Sequence, residues 1–345
     1  MQQSVDIREP SRNKRNETLA LIKLFASYMV VFTHVMFYGA VGTVVDSLSR
    51  FAVPLFFLTA GFYSQPDNPE KTKKKIVRLS KLLAFASLTY IILGLLSFLI
   101  CGDVNTVIEY VKGVCNLHTL LYLIVFNLPV SSVHLWFLLA LIYVYALQYL
   151  VHKFHVPEKV ILAFSLACLL LHLLLGEVFT AFHIAIPIVV VRNFLLMGVP
   201  FFTLGFFAQK YKERLKAIKN RFLILSIIIG IAETVTSRML SGKNELYLGS
   251  LFVLFSMVVF FIKYGDRKYG KLLSVLASCS TYIYIFHMIV KFALNALLVA
   301  LNAQPASPLF QMLMPILVCI VSTLLALCIN HIAKQTRLLL KKART

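Results

Sequence analysis

A chain of 345 residues that is 59% hydrophobic and 14% charged carries far fewer charges than the roughly 25% of an average soluble domain. Its mean hydropathy of +0.83 means more apolar surface than a soluble fold can cover, which excludes a soluble enzyme and predicts a polytopic membrane protein. The formal net charge of +20 would suggest nucleic acid in a soluble protein. Here topology accounts for the basic residues, so the lipid bilayer is the expected partner and nucleic acid is not.

Residues 1–16 read as a polar cytoplasmic tail, with no small-residue cleavage site ahead of the first apolar run, so that run is an uncleaved first span. Apolar segments then follow at 18–38, 50–64, 82–100, 134–151, 160–176, 191–209, 222–238, 247–262, 272–298 and 310–333. At about 20 residues per crossing these predict an all-α bundle of about ten transmembrane helices. One transmembrane domain, 17–333, is expected, followed by a basic cytoplasmic tail, 334–345. With the N-terminus inside, the tails and loops on the cytoplasmic side hold 27 of the 34 Lys and Arg residues. Both termini are therefore expected in the cytoplasm. KTKKKIVRLSK (71–81) reads as an amphipathic basic entry to the third span, suited to anionic lipid or an anionic cofactor. The long outer stretch 101–133 contains the apolar NLHTLLYLIVFNLPV, too short for a crossing and expected as a re-entrant or interfacial helix.

Polar residues inside these spans are costly to insert. Lys23 and His34 share the first span, eleven residues apart. That is about three turns, so both project from nearly one face, roughly 16 Å apart along the axis. Topology puts Lys23 in the cytoplasmic third and His34 in the outer half. Arg50, His134 with Trp136, and Arg192 each open a span from the outside, and His287 lies in the outer half of the ninth. Five helices thus contribute a polar group to one outer layer. Arg50, Arg192 and Trp136 also suit simple interface anchors. Glu233 and Arg238 suit an ion pair near the outer end of the seventh span, and Glu233 is the first acidic candidate to orient His34. Cys101 and Cys115 flank an outer loop, and whether they pair is open. CxxC, HExxH and Walker-type glycine patterns are all missing, so no metal site or ATP chemistry is expected.

Several strings resemble the acyltransferase-3 family of integral membrane O-acyltransferases. That family carries Arg or Lys, ten residues, then His in its first span, which Lys23 and His34 match. RFAVPLFFLTAGFY (50–63) resembles its second-span pattern, with Ala60 where Ser is common, and HLWFLLALI, RNFLLMGVPFFTLGF and STYIYIFH resemble three further blocks. The resemblance runs over 17–290. It departs from the commonest pattern in Lys23 for Arg and in Ala20, where an acidic residue is usual.

The resemblance implies transfer of an acyl group, with acetyl the default, from cytoplasmic acyl-CoA to a hydroxyl of an extracytoplasmic acceptor, usually a glycan, at a bacterial plasma membrane. Acetyl-CoA would be a co-substrate, and no tightly bound cofactor is implied. Lys23 would hold the CoA phosphates as a point charge. His34 would be the catalytic residue, as general base or as acyl carrier. Arg50, His134, Trp136, Arg192 and His287 are candidates for orienting the acceptor or stabilising an oxyanion. A transporter or flippase without covalent chemistry is the rival reading. A glycan polymerase or ligase ranks third, because the outer loops are short.

Overall fold

The computed structural model describes residues 16–64, 68–101, 104–114, 116–129, 132–265, 267–303 and 307–342. Its principal helices are α1 (Glu17–His34), α2 (Gly39–Phe62), α3 (Pro69–Cys101), α4 (Val104–Val114), α5 (Leu117–Phe126), α6 (Val133–Lys153), α7 (Glu158–Ala181), α8 (Phe194–Lys210), α9 (Asn220–Ser241), α10 (Leu248–Tyr264), α11 (Lys271–Ala277), α12 (Ser280–Ala300) and α13 (Pro308–Lys342), with short helical turns at Ile188–Val191 and Lys212–Lys216. No strand occurs among the described residues. In hydrocarbon every backbone N–H and C=O must be satisfied within the segment, and helices do this for long apolar runs. Among the described residues seven helices, α2, α3, α6, α7, α9, α12 and α13, are long and apolar enough to cross a membrane. The other three expected spans fall on α1, α8 and α10, which are shorter or less apolar than these seven, and the described residues form an all-α membrane bundle.

α1 occupies the interior, packed on α2, α10, α12 and α13. Its start is pinned by side chains. Asn16 Oδ1 accepts the Leu19 N–H at 2.7 Å, filling an otherwise open N-terminal donor. Thr18 donates to the Tyr264 carbonyl at 2.6 Å, and Glu17 accepts the Tyr269 N–H at 2.7 Å. α1 ends at His34, and after four intervening residues α2 begins at Gly39 with φ +60°, a left-handed conformation that glycine adopts without strain. The first span is therefore shorter than expected and the second longer. Residues 39–49, expected as an outer loop, form the first half of α2, and a single 3₁₀ turn at Ser49–Phe51 joins the two halves.

Close helix contacts are made through glycine. A Cβ on Gly61 of α2 would lie 1.8 Å from the Phe202 carbonyl oxygen of α8, and one on Gly205 of α8 would lie 1.9 Å from that of Leu58. The two backbones thus touch directly, as small residues allow in membrane bundles. Gly230 and Gly249 perform the same service between α9 and α10. Phe57, Phe201, Leu55, Leu135 and Ile285 fill the core between these contacts. The outer stretch contains the short α5, capped by Asn116 and ended by Asn127 at φ 49°. The Cys101–Cys115 pairing lies outside the described residues. The basic stretch from 334 to 342 is helical and continues α13.

Gly205→Ala is expected to destabilise the bundle by at least about 1–3 kcal/mol, the usual cost of overpacking, because the obstacle is backbone. Gly113→Ala in α4, where an added Cβ meets nothing, is expected to be neutral. Thermal unfolding of the two purified variants checks the contrast, and equal losses would contradict it.

Candidate functional site

Two cavities lie along α1. The upper one, about 1080 Å³, is lined by His34, Arg50, His134, Trp136, Arg192 and Glu245 among others. The lower one, about 360 Å³, is lined by Lys23, Lys75, Arg78, Tyr63, Ser280 and Thr281 among others. Tyr284 lines both and stands between them. A third groove, about 1000 Å³ between α6, α7 and α8, is lined by none of the residues singled out in the sequence.

Three imidazoles meet at the base of the upper cavity. His34 comes from the last position of α1, His134 from the 3₁₀ turn that opens α6, and His287 from the second turn of α12. The ring centroids are 5.2 Å apart for His34 and His287, 6.1 Å for His34 and His134, and 5.1 Å for His134 and His287. Backbone carbonyls fix two of the tautomers. His134 Nε2 faces the Ile285 carbonyl at 3.2 Å, and His287 Nδ1 faces that of Tyr284 at 2.8 Å. A carbonyl only accepts, so each of these nitrogens carries the proton. The other nitrogen of each neutral ring then presents a lone pair. For His287 that is Nε2, which is buried and has no partner among the described residues. Two tyrosines hold this frame: Tyr90 donates to the Ile285 carbonyl at 2.7 Å, and Tyr284 donates to the His134 carbonyl.

Above the histidines is a charged rim. Glu245, in the loop between α9 and α10, accepts from Arg192 Nε at 2.8 Å and Nη2 at 2.7 Å, and from Arg50 Nη1 at 3.0 Å. Arg50 also donates to Asp46, one turn earlier on α2, and Lys243 Nζ lies 3.7 Å from Asp46. Arg50 is presented by the 3₁₀ turn of α2. Arg192 is presented just before α8, where Asn193 caps the Leu195 and Leu196 N–H groups at 2.9 and 2.8 Å. Burial works to raise the Glu245 carboxyl, but Arg50 and Arg192 overcome it and hold the group down to about 2.

The cluster expected from sequence is thus assembled: His34, Arg50, His134, Trp136 and Arg192 line one cavity, and His287, fully buried, packs against His34 and His134 behind its wall. Arg50 and Arg192 are ion-paired inside the rim rather than anchored at a membrane interface. Trp136 is 5% exposed and packs on Phe57, so it is not an aromatic-belt residue. Glu233 belongs elsewhere. Its carboxylate accepts the Gly249 N–H at the start of α10, beside Glu177, which accepts the Leu248 N–H at 2.8 Å. It forms no ion pair with Arg238 and does not line the histidine cavity. The expected reason for a buried acid, orienting His34, gives way to a simpler one, satisfying open N–H groups at a helix start. Asp46, Glu245, Tyr90 and Tyr284 went unnoticed in the sequence. The available signal was an acid, Asp46, four residues before Arg50.

The family model described as the acyltransferase domain, acyltransferase-3, matches residues 16–331. The chain belongs to the acyltransferase-3 family. Neither the curated proteins nor the solved structures contain a match to it. An acyltransferase needs a base near a reacting hydroxyl and positive charge near a developing oxyanion, and the upper cavity of this family member holds both kinds of group.

The low Glu245 value fixes a pH dependence. A carboxylate depressed in the folded state contributes stability above its unfolded value of about 4.3, and this is lost as pH falls toward about 2. Glu245→Gln is therefore expected to lower stability at pH 7, by about 3–5 kcal/mol, because Arg192 loses its carboxylate while Arg50 keeps Asp46, and to flatten the acid limb of a stability-versus-pH curve. An unchanged acid limb would contradict this role.

Proposed function

We propose that the protein is an O-acetyltransferase that moves an acetyl group from cytoplasmic acetyl-CoA to a hydroxyl of an extracytoplasmic acceptor, a cell-surface glycan, in a bacterial plasma membrane. The observation that carries the reading is the pair of cavities meeting at Tyr284, with cations below and imidazoles above. CoA has phosphates at one end and a thioester at the end of a long flexible arm. Lys23, Lys75 and Arg78 supply the positive charge that phosphates require. The arm then runs along α1, past Tyr284, over the roughly 16 Å from Lys23 to His34.

In this scheme His34 removes the proton from the acceptor hydroxyl, and the oxygen attacks the thioester carbonyl. The tetrahedral oxyanion forms under the positive field of Arg50 and Arg192. Its collapse breaks the carbon–sulfur bond and expels the CoA thiolate, which takes the proton from His34. The products are the acetyl ester and free CoA. The bare lone pair of His287 Nε2 is available to the imidazolium formed on His34, a role that a carboxylate often fills. No carboxylate was found to fill it among the described residues.

His34→Ala is expected to lower acetyl transfer by at least about 10²–10⁴-fold with insertion and folding unchanged. Lys23→Ala is expected to raise KM for acetyl-CoA by about 10–100-fold, the value of a charged hydrogen bond of about 1.5–3 kcal/mol, while Lys23→Arg retains the lower KM. Steady-state kinetics with labelled acetyl-CoA check both. Transfer retained in His34→Ala would overturn the scheme.

A further inference from the structure

The rim of the upper cavity carries more positive charge than the described residues neutralise. Arg50, Arg192 and Lys243 line the cavity, and Glu245 is the one carboxylate among the described lining residues. That carboxylate already accepts two hydrogen bonds from Arg192 and one from Arg50. Asp46 and Arg238 stand close enough to act on Lys243 and add one charge of each sign. The junction therefore sets four cations against two acids. Lys291, bonded to the His34 carbonyl, places a further cation beside His34. Two of these cations keep bonding capacity. Arg50 is 7% exposed, and its Nε has no hydrogen-bond partner among the described residues. Lys243 Nζ is 3.7 Å from Asp46 Oδ2, an ion-pair separation but longer than a hydrogen bond. The Lys243 side chain is half-exposed, so its ammonium can turn to an occupant of the cavity.

We infer that the acceptor is an anion: a hydroxylated compound bearing a phosphate or carboxylate, with that group held at the rim by Lys243 and the two arginines and a hydroxyl presented to His34. The reaction at the hydroxyl rests on the acetyltransferase reading, but binding of the negative group needs no donor. Uncompensated charge is costly away from water, and the low dielectric of a protein interior strengthens its pull on an opposite charge. A transition-state oxyanion is negative only during the reaction, so it leaves the resting surplus unmatched. The phosphates of CoA are assigned to the lower cavity, at Lys23, Lys75 and Arg78. A negative group on the acceptor matches the surplus in the bound ground state. It also aids capture, since a positively lined cleft concentrates anions from solution. A neutral sugar would leave Lys243 and the excess charge without a counterpart.

The test compares probes on one scaffold: glucose 6-phosphate, glucuronate and glucose. Each is radiolabelled and dialysed to equilibrium against the full chain in nanodiscs of uncharged lipid, without acetyl-CoA. At least one of the anionic sugars is expected to bind at least about tenfold more tightly than glucose, the value of one charge-assisted hydrogen bond. Its binding is expected to weaken as NaCl is raised. The tighter of the two identifies the group as phosphate or carboxylate. Lys243→Glu is expected to remove the advantage over glucose and Lys243→Arg to retain it, whereas Lys23→Ala, in the lower cavity, leaves it unchanged. Inorganic phosphate is expected to compete more weakly than the anionic sugar. Equal binding of glucose and both anions would overturn the inference, as would an advantage lost in Lys23→Ala but kept in Lys243→Glu. Phosphate competing as well as the sugar would also overturn it, because the site would then take an anion and not an acceptor. The comparison with glucose and its salt dependence decide the matter in the unaltered protein even if Lys243→Glu fails to fold. Anion-selective binding in a protein that transfers no acetyl group would keep the anion site and remove the enzyme reading, and acetyl transfer that favours uncharged acceptors would do the reverse.

Discussion

One carboxylate holds the outer end of this bundle together. Glu245 hangs from the loop between α9 and α10 and binds Arg50 on α2 and Arg192 ahead of α8. Each arginine is costly to keep away from water unless it is paired and hydrogen-bonded. Through them three separate parts of the chain are brought to one point. Asp46 completes the pairing of Arg50 from one turn earlier on α2. Without Glu245 the rim would keep the Arg50–Asp46 pair and leave Arg192 without a carboxylate above the imidazole cluster.

The interior beneath is ordered by the same logic of satisfied polar groups. The carbonyls of Ile285 and Tyr284 fix the protons of His134 and His287, and the hydroxyls of Tyr90 and Tyr284 hold α12 and the start of α6 in place. His34 is left as the imidazole whose ring nitrogens are not committed to a backbone carbonyl in this frame. Its own carbonyl accepts Lys291 Nζ at 2.9 Å, which fixes the end of α1 without engaging the ring. Tyr284 serves twice, as a donor in the frame and as the side chain between the two cavities. A reaction path through the bundle would be controlled at that residue.

The bundle was legible in the sequence because apolar runs and the Lys and Arg bias report the bilayer directly. The cluster was legible because topology assigns a depth to each polar residue, and residues of equal depth from several helices have little room to avoid one another. Partner choice was harder to read. Glu233 was the conspicuous acid inside a span, yet it serves the start of α10. Glu245 sits in a short outer loop, and only the fold returns it to the arginines. Asp46 was hidden by reading 39–49 as loop, since the Gly39–Phe62 helix is broken by a 3₁₀ turn and begins with two glycines and a threonine that weaken its apolar pattern.

The central claim is that a donor on the cytoplasmic side supplies an acyl group to chemistry in the outer half of the membrane. It is tested most directly in sealed vesicles containing the purified protein in one orientation, with acetyl-labelled acetyl-CoA supplied only at the cytoplasmic face and a membrane-impermeant hydroxylated acceptor only at the other. The account predicts that label becomes covalently attached to the acceptor while intact acetyl-CoA stays on its own side, and that His34→Ala abolishes the attachment. Acceptor that crosses the membrane unlabelled, or label that requires donor and acceptor on the same face, would contradict it.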